Sequence, residues 1–156
     1  MRRLTLEPLR PGHAAELVAV LSDAALYEFT GGEPPTLDEL RERYERQAVG
    51  HLPDGSQQWL NWIVRTAEDG QAIGFVQATV VDGVADVAWL IGTPWQGRGY
   101  ATEAAREMLA VLAQLGISHI TAHIRADHQA SVRVATNLGL SPTNETEDGE
   151  VVWLRR

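Results

Sequence analysis

The chain has 156 residues, 44% hydrophobic and 22% charged, and its 13 Lys and Arg against 21 Asp and Glu leave a formal net charge of −8. A field of that sign repels phosphate backbones and favours cationic small molecules or basic peptides, so nucleic acid is not an expected partner. With no cysteine in the chain, a disulfide scaffold, Cys-ligated zinc, an iron–sulfur cluster and a cysteine nucleophile are all excluded.

Leu4, Leu6 and Leu9 around Thr5 and Glu7 read as a short first strand. Pro11-Gly12-His13 opens a helical stretch with Leu17, Val18, Leu21 and Ala25 at three- and four-residue spacing. Gly31-Gly32-Glu33-Pro34-Pro35 breaks it. Thr36 with Glu39 three residues on forms a capping box for a second helix, whose stripe is Leu37, Leu40, Tyr44 and Ala48. Three segments rich in Val, Ile, Trp and Thr follow: Gln58 to Thr66, Ala72 to Val81, and Val84 to Ile91. Asp69-Gly70 and Asp82-Gly83 between them are hairpin signals, so these strands form an antiparallel meander. Ala101 to Leu115 is helical and stops at Gly116. Ile117 to Arg125 alternates as a strand, Gln129 to Leu138 is a helix stopped by Gly139, and Asp148-Gly149 precedes a last strand from Glu150 to Leu154.

The order β-α-α-β-β-β-α-β-α-β is that of an α+β (α/β) domain with a mixed sheet, read as one domain over residues 1–156. The longest unbroken apolar runs, such as Val87 to Ile91, fall far short of the roughly 18 residues of a membrane span. The basic start Met1-Arg2-Arg3 lacks the apolar core of a signal peptide. No membrane association and a cytoplasmic location are therefore expected.

The segment richest in chemistry is Gln96-Gly97-Arg98-Gly99-Tyr100-Ala101-Thr102, between a strand and a helix. Its glycines let the backbone turn and approach a ligand, and the helix start offers free N–H groups and partial positive charge, which together make an anion site. No third glycine completes a dinucleotide fingerprint, and no Gly-Lys-Ser/Thr completes a P-loop. The structural alternative is a tight turn with no ligand.

Gln96-x-x-Gly99-x-Ala101 resembles the Gln/Arg-x-x-Gly-x-Gly/Ala motif of the GNAT N-acetyltransferases, and the resemblance runs through Asp86 to Ile91 before it and Thr102 to Ala104 after it. His128-x-x-Ser131-x-Arg133-Val134-x-x-x-x-Gly139-Leu140 is similar to a segment of the Rim-type branch, which acetylates ribosomal-protein N-termini, as is the opening phrase Leu6 to Pro11. The resemblance implies a GNAT-like acyl-CoA N-acyltransferase fold and acetyl-CoA as cosubstrate, without a metal. It places the coenzyme's pyrophosphate at Gln96, Gly97, Arg98, Gly99, Tyr100, Ala101 and Thr102. The pantetheine arm would lie along Leu90 and Ile91, with His128 where the branch has an Asn that contacts that arm. It makes Asp86 the expected general base and Ser131 the expected group beside the thiol. Thr136, Asn137 and Leu140 depart from the branch's Glu, Lys and Phe, and Ala135 stands where some relatives carry a Tyr proton donor.

The implied reaction is direct attack of a primary amine on the thioester in a ternary complex. The acceptor is a peptide N-terminus, a polyamine or small amine, or an aminocyclitol, bound under the loop from Tyr27 to Glu33, with Trp59 or Asn61 as further contacts. His123 is a second candidate base. His119 and His123 lie about 13 Å apart along one strand, too far to share a metal. The chain is expected to be a monomer or a homodimer. A non-catalytic acyl-CoA-binding sensor is the alternative function.

Overall fold

The computed structural model describes residues 2–156. Its strands are β1 (Leu4–Pro8), β2 (Gln58–Thr66), β3 (Ala72–Val81), β4 (Val84–Ile91), β5 (His119–Ile124), β6 (Ser141–Glu147) and β7 (Glu150–Arg155). The α-helices are α1 (Ala14–Val20), α2 (Leu37–Val49), α3 (Tyr100–Gln114) and α4 (Gln129–Asn137). The strands form one sheet in the order β1-β2-β3-β4-β5-β7-β6, antiparallel throughout except where β4 meets β5. This is the mixed α+β architecture read from the sequence, and the three meander strands keep their expected ends.

Strand alternation divides the interior in two. On one face Val76, Ala78, Ala85, Val87 and Ile91 meet Ala104, Ala105, Met108 and Leu112 of α3 and Val134 and Ala135 of α4. On the other, Ile63 meets Ala14, Leu17, Leu40 and Tyr44 of α1 and α2. Each fully buried Leu or Ile contributes about 1.5–3 kcal/mol. The first two helices pack on β2 and β3, and β4 and β5 turn polar residues, Asp86, Thr121 and His123, to the same side as Ile63.

Two elements differ from the expected order. The first helix ends at Val20 because Ser22 donates to the Ala19 carbonyl and Asp23 accepts from the Ala25 N–H, starting a separate 3-10 turn over Ala24–Tyr27. A strand, β6, precedes the last one. Its sequence Ser-Pro-Thr-Asn-Glu-Thr-Glu has no aliphatic or aromatic residue, since it is an almost wholly exposed edge, and so it carries no alternation to read. Asp148 closes the β6–β7 hairpin at φ 51°, as Asp82 closes β3–β4 at φ 52°, the left-handed geometry of tight hairpins. The capping box is formed as read: Thr36 Oγ1 accepts from Glu39 N at 3.2 Å, and Glu39 accepts from Thr36 N at 3.0 Å.

A buried-edge ion cluster ties the sheet to α1. Arg65 bonds both Glu7 and Glu16, and His13, 1% exposed, bonds Glu7 at 2.9 Å. The Arg65 guanidinium, and then His13, hold the Glu7 carboxyl down to about 2.

Candidate active site

Strands β4 and β5 pair over only three residues, Val84–Asp86 against His119–Thr121. Beyond that point β4 continues paired to β3 alone, and β5 to β7 alone. The facing edges of Val87–Ile91 and Ala122–Ile124 therefore open into a gap where, apart from the Ile91 carbonyl, the edge-facing backbone groups have no strand partner and can receive an extended ligand.

At the gap's far end lies the glycine segment. Gln96 Nε2 donates to the Ile91 carbonyl at 2.9 Å, fastening the loop to the end of β4. Gly99 sits at φ 79° as the N-cap of α3, a left-handed conformation that disfavours any residue with a Cβ. The first backbone N–H of α3 to find a partner is that of Glu103, on the Gly99 carbonyl. Among the described residues the N–H groups of 97–102 have no protein acceptor. A row of free amides at the positive end of a 15-residue helix is an anion cradle.

Two polar clusters flank the gap, on opposite faces of β4. On the helix-covered face, Trp89 Nε1 donates to Ser131 Oγ at 3.3 Å, and Ser131 Oγ lies 3.1 Å from His128 Nε2. Burial lowers the His128 pKa, outweighing the nearby Asp127 and Glu28, so the ring is neutral at pH 7 and Nε2 accepts the Ser131 hydroxyl proton. The His128 ring stacks on Phe29 with centroids 4.2 Å apart, and Arg125 reaches the Glu28 carbonyl at 3.4 Å. Those contacts draw the loop after the 3-10 turn Ala24–Tyr27 towards the start of α4.

On the open face, Asp86 Oδ1 accepts from Thr121 Oγ1 at 3.0 Å and from His123 Nδ1 at 2.9 Å, and His123 Nε2 lies 2.9 Å from Glu147 Oε2. Each ring nitrogen faces a carboxylate oxygen, so both donate and His123 is the imidazolium. Its pKa is raised: burial opposes the charge, and Asp86 and Glu147 together outweigh that. In this form His123 has no lone pair to accept a proton, whereas Asp86 Oδ2 has no partner among the described residues.

A cleft of about 340 Å³ opens between α2 and the meander, lined among others by Arg43, Tyr44, Asn61, Phe75 and Gln77. The Tyr44 hydroxyl is buried without a partner among the described residues, and burial pushes its pKa up to about 12. Asn61 belongs to this lining, whereas Trp59 instead donates to Gln57.

The expected residues thus fall into three groups around one gap: the loop 96–102, the pair His128 and Ser131, and Asp86. Glu147 escaped the sequence reading as a site residue, as did Trp89 as a partner of Ser131 and Phe29 as a partner of His128, because their contacts span 24 residues or more or stack across a loop. No group of three metal-ligating side chains is present among the described residues, and no helix there is long and apolar enough to cross a membrane.

A mixed sheet parted between two strands, with a row of free amides at the end of the gap, leaves room for an extended anionic molecule along a strand edge. The family comparison agrees: residues 3–141 match the family described as acetyltransferase (GNAT) domain, and the chain belongs to that family. No curated protein matches it. Among solved structures it is similar to the ribosomal-protein α-N-acetyltransferase RimL in complex with coenzyme A (18% identity, 99% and 93% of the two chains covered, TM-score 0.80). It is also similar to an acetyltransferase from Thermus thermophilus (19%, 99% and 96%, 0.79). A third similar structure is the aminoglycoside acetyltransferase AAC(6')-Ib in complex with coenzyme A (21%, 98% and 94%, 0.77).

Proposed function

We propose that the chain is an acetyl-CoA-dependent N-acetyltransferase that moves an acetyl group to a primary amine by direct attack in a ternary complex. The observation that carries this reading is the parted β4–β5 edge ending in the free N–H groups of 97–102. The pyrophosphate rests on those amides, with Thr102 beside them. The pantetheine arm runs as an added strand along Leu90 and Ile91 and passes His128.

The acceptor enters from the open face. Asp86 Oδ2 takes the ammonium proton, and the freed amine attacks the thioester carbon. The C–N bond forms and, as the tetrahedral intermediate collapses, the C–S bond breaks. A backbone N–H of the open β4 edge stabilises the oxyanion. The second amine proton leaves as the intermediate collapses and the departing sulfur takes one up, the Ser131 hydroxyl, held by the Trp89 N–H, being the group that passes it on. While His123 is protonated its charge opposes the approach of a cationic amine, so turnover rises with pH as His123 loses its proton.

Acceptors of three kinds fit the acidic open face: a peptide N-terminus, a polyamine or small amine, and an aminocyclitol. Solved structures of this fold include a ribosomal-protein α-N-acetyltransferase and an aminoglycoside acetyltransferase, which supports acceptors of these kinds. Calorimetric titration with acetyl-CoA, beside a Gly99→Glu variant, tests the coenzyme step, and amine-dependent thiol release across the three acceptor kinds tests the transfer. Binding lost in the folded variant, with release that depends on an amine, is expected. A folded wild type that ignores acetyl-CoA would refute the reading, and one that binds it without turnover would make it a sensor.

A further inference from the structure

We propose that Arg3, which lies outside the glycine motif, is a positioning residue for the coenzyme's phosphates; this rests on the coenzyme reading above. Arg3 stands 100 residues before Glu103, and the fold brings them together. Arg3 Nε donates to Glu103 Oε1 at 2.8 Å and its backbone N–H to Oε2 at 3.2 Å. Nη1 donates to the Arg98 carbonyl at 3.0 Å, inside the phosphate loop. The guanidinium lies 4.5 Å from the centre of the Tyr100 ring, and Nη2 lies 3.5 Å from where a Cβ on Gly99 would stand. One side chain therefore touches residues 98, 100 and 103 and passes beside Gly99.

The reason is electrostatic. Glu103 lies in the first turn of α3, where a carboxylate draws on the same positive helix end that a phosphate needs. Left alone, it repels the incoming anion. Arg3 covers both carboxylate oxygens with donors and neutralises the charge, and its Nη2 is left beside Gly99 as a hydrogen-bond donor. It also occupies the Arg98 carbonyl, which would otherwise present a lone pair to the anion site.

The test is calorimetric binding of acetyl-CoA to wild type, Arg3→Gln, Glu103→Gln and the double variant, with folding of each checked by circular dichroism. Arg3→Gln is expected to bind about tenfold more weakly, the scale of a charge-assisted contact. Glu103→Gln should bind at least as well as wild type, and the double variant should recover most of the loss. S-acetylpantetheine, which has no phosphate, should bind all four alike. A loss kept with 3′-dephospho-acetyl-CoA assigns the effect to the pyrophosphate, and a loss confined to acetyl-CoA assigns it to the 3′-phosphate; both support a phosphate role. A double variant no better than Arg3→Gln, or equal weakening for S-acetylpantetheine, would mean that Arg3 is only a brace. If Arg3→Gln fails to fold, Arg3→Lys replaces it, keeping the charge while losing the fork; it should weaken acetyl-CoA binding and leave S-acetylpantetheine unaffected, and unaltered acetyl-CoA binding by Arg3→Lys overturns the proposal. Wild type binding acetyl-CoA with Arg3→Gln unaffected overturns this proposal alone, whereas a wild type that does not bind takes the coenzyme reading with it.

Discussion

Gly74 offers a measurement that depends on no ligand. It pairs with Ile91, and a Cβ built on it would stand 2.0 Å from the Leu90 carbonyl oxygen and 3.0 Å from Ile91 Cα. Both neighbours are backbone, so no side chain can swing aside. Restoring an ordinary carbon–oxygen contact in Gly74→Ala requires β3 and β4 to separate by about 1.2 Å. The adjoining bond from Gly92 N to the Ile73 carbonyl, now 2.7 Å, would then stretch to about 3.9 Å, beyond hydrogen-bonding range. Overpacking costs about 1–3 kcal/mol and a broken buried hydrogen bond about 1–3 kcal/mol, so we expect about 3 kcal/mol of destabilisation. In urea, with a slope of about 1.5–2 kcal/mol per molar, the midpoint should fall by about 1.5–2 M. Leu90 and Ile91 form the strand edge assigned to the pantetheine arm, so acetyl-CoA affinity should fall in whatever fraction remains folded. A midpoint within about 0.3 M of wild type would refute the close approach on which this reasoning stands.

Asp86→Asn keeps an acceptor oxygen for Thr121 and His123 but removes the basic lone pair, so kcat should fall about 10²–10⁴-fold with acetyl-CoA affinity intact; unchanged turnover would remove Asp86 from the mechanism. Glu147→Gln takes away one of the two carboxylates that hold the His123 imidazolium. By NMR titration the His123 pKa should move down towards 6.5, and the acidic limb of kcat/KM should follow it to lower pH; a His123 pKa that stays put would show that Glu147 does not hold the ring. Because the folded His123 pKa is raised, its contribution to stability is full below the unfolded value and is lost as pH rises through the folded value. Glu7 runs the opposite way: its contribution is present above the usual 4.5 and is lost as pH falls towards about 2. Glu7→Gln should therefore flatten the acid limb of stability, and an acid limb as steep as that of wild type would place the dependence elsewhere. Ser131→Ala should slow turnover while leaving acetyl-CoA binding within about threefold, and full kcat across pH would end its role as proton donor.

Local chemistry wrote the parts of the fold that could be read. The meander strands were legible because Val, Ile and Trp segments are punctuated by Asp-Gly pairs whose left-handed geometry only a few residues accept. The second helix was legible because Thr36 and Glu39 satisfy each other's backbone. Strand β6 was not, because both its sides are wet and its pairing partner supplies all the order. The break after Val20 turned on the hydroxyl of Ser22 and the carboxylate of Asp23 competing with the helix for backbone groups. At the site, the loop 96–102 announced itself by two glycines before a helix. The environment of Asp86 did not, since His123 reaches it from β5 and Glu147 reaches His123 from β6, and sequence carries no local trace of contacts 37 and 24 residues apart.

The three residue pairs that join β4 to β5 have a mechanical meaning. They are the knuckle between two leaves, one of four strands and one of three. The opening angle between the leaves is the softest coordinate of the sheet, because no ladder resists it beyond Asp86 and Thr121. A molecule that fills the gap with its own amides supplies the missing rungs and stitches the leaves together. Amide exchange along Val87–Ile91 and Ala122–Ile124 should then slow in step when the gap is filled, as two lips of one seam.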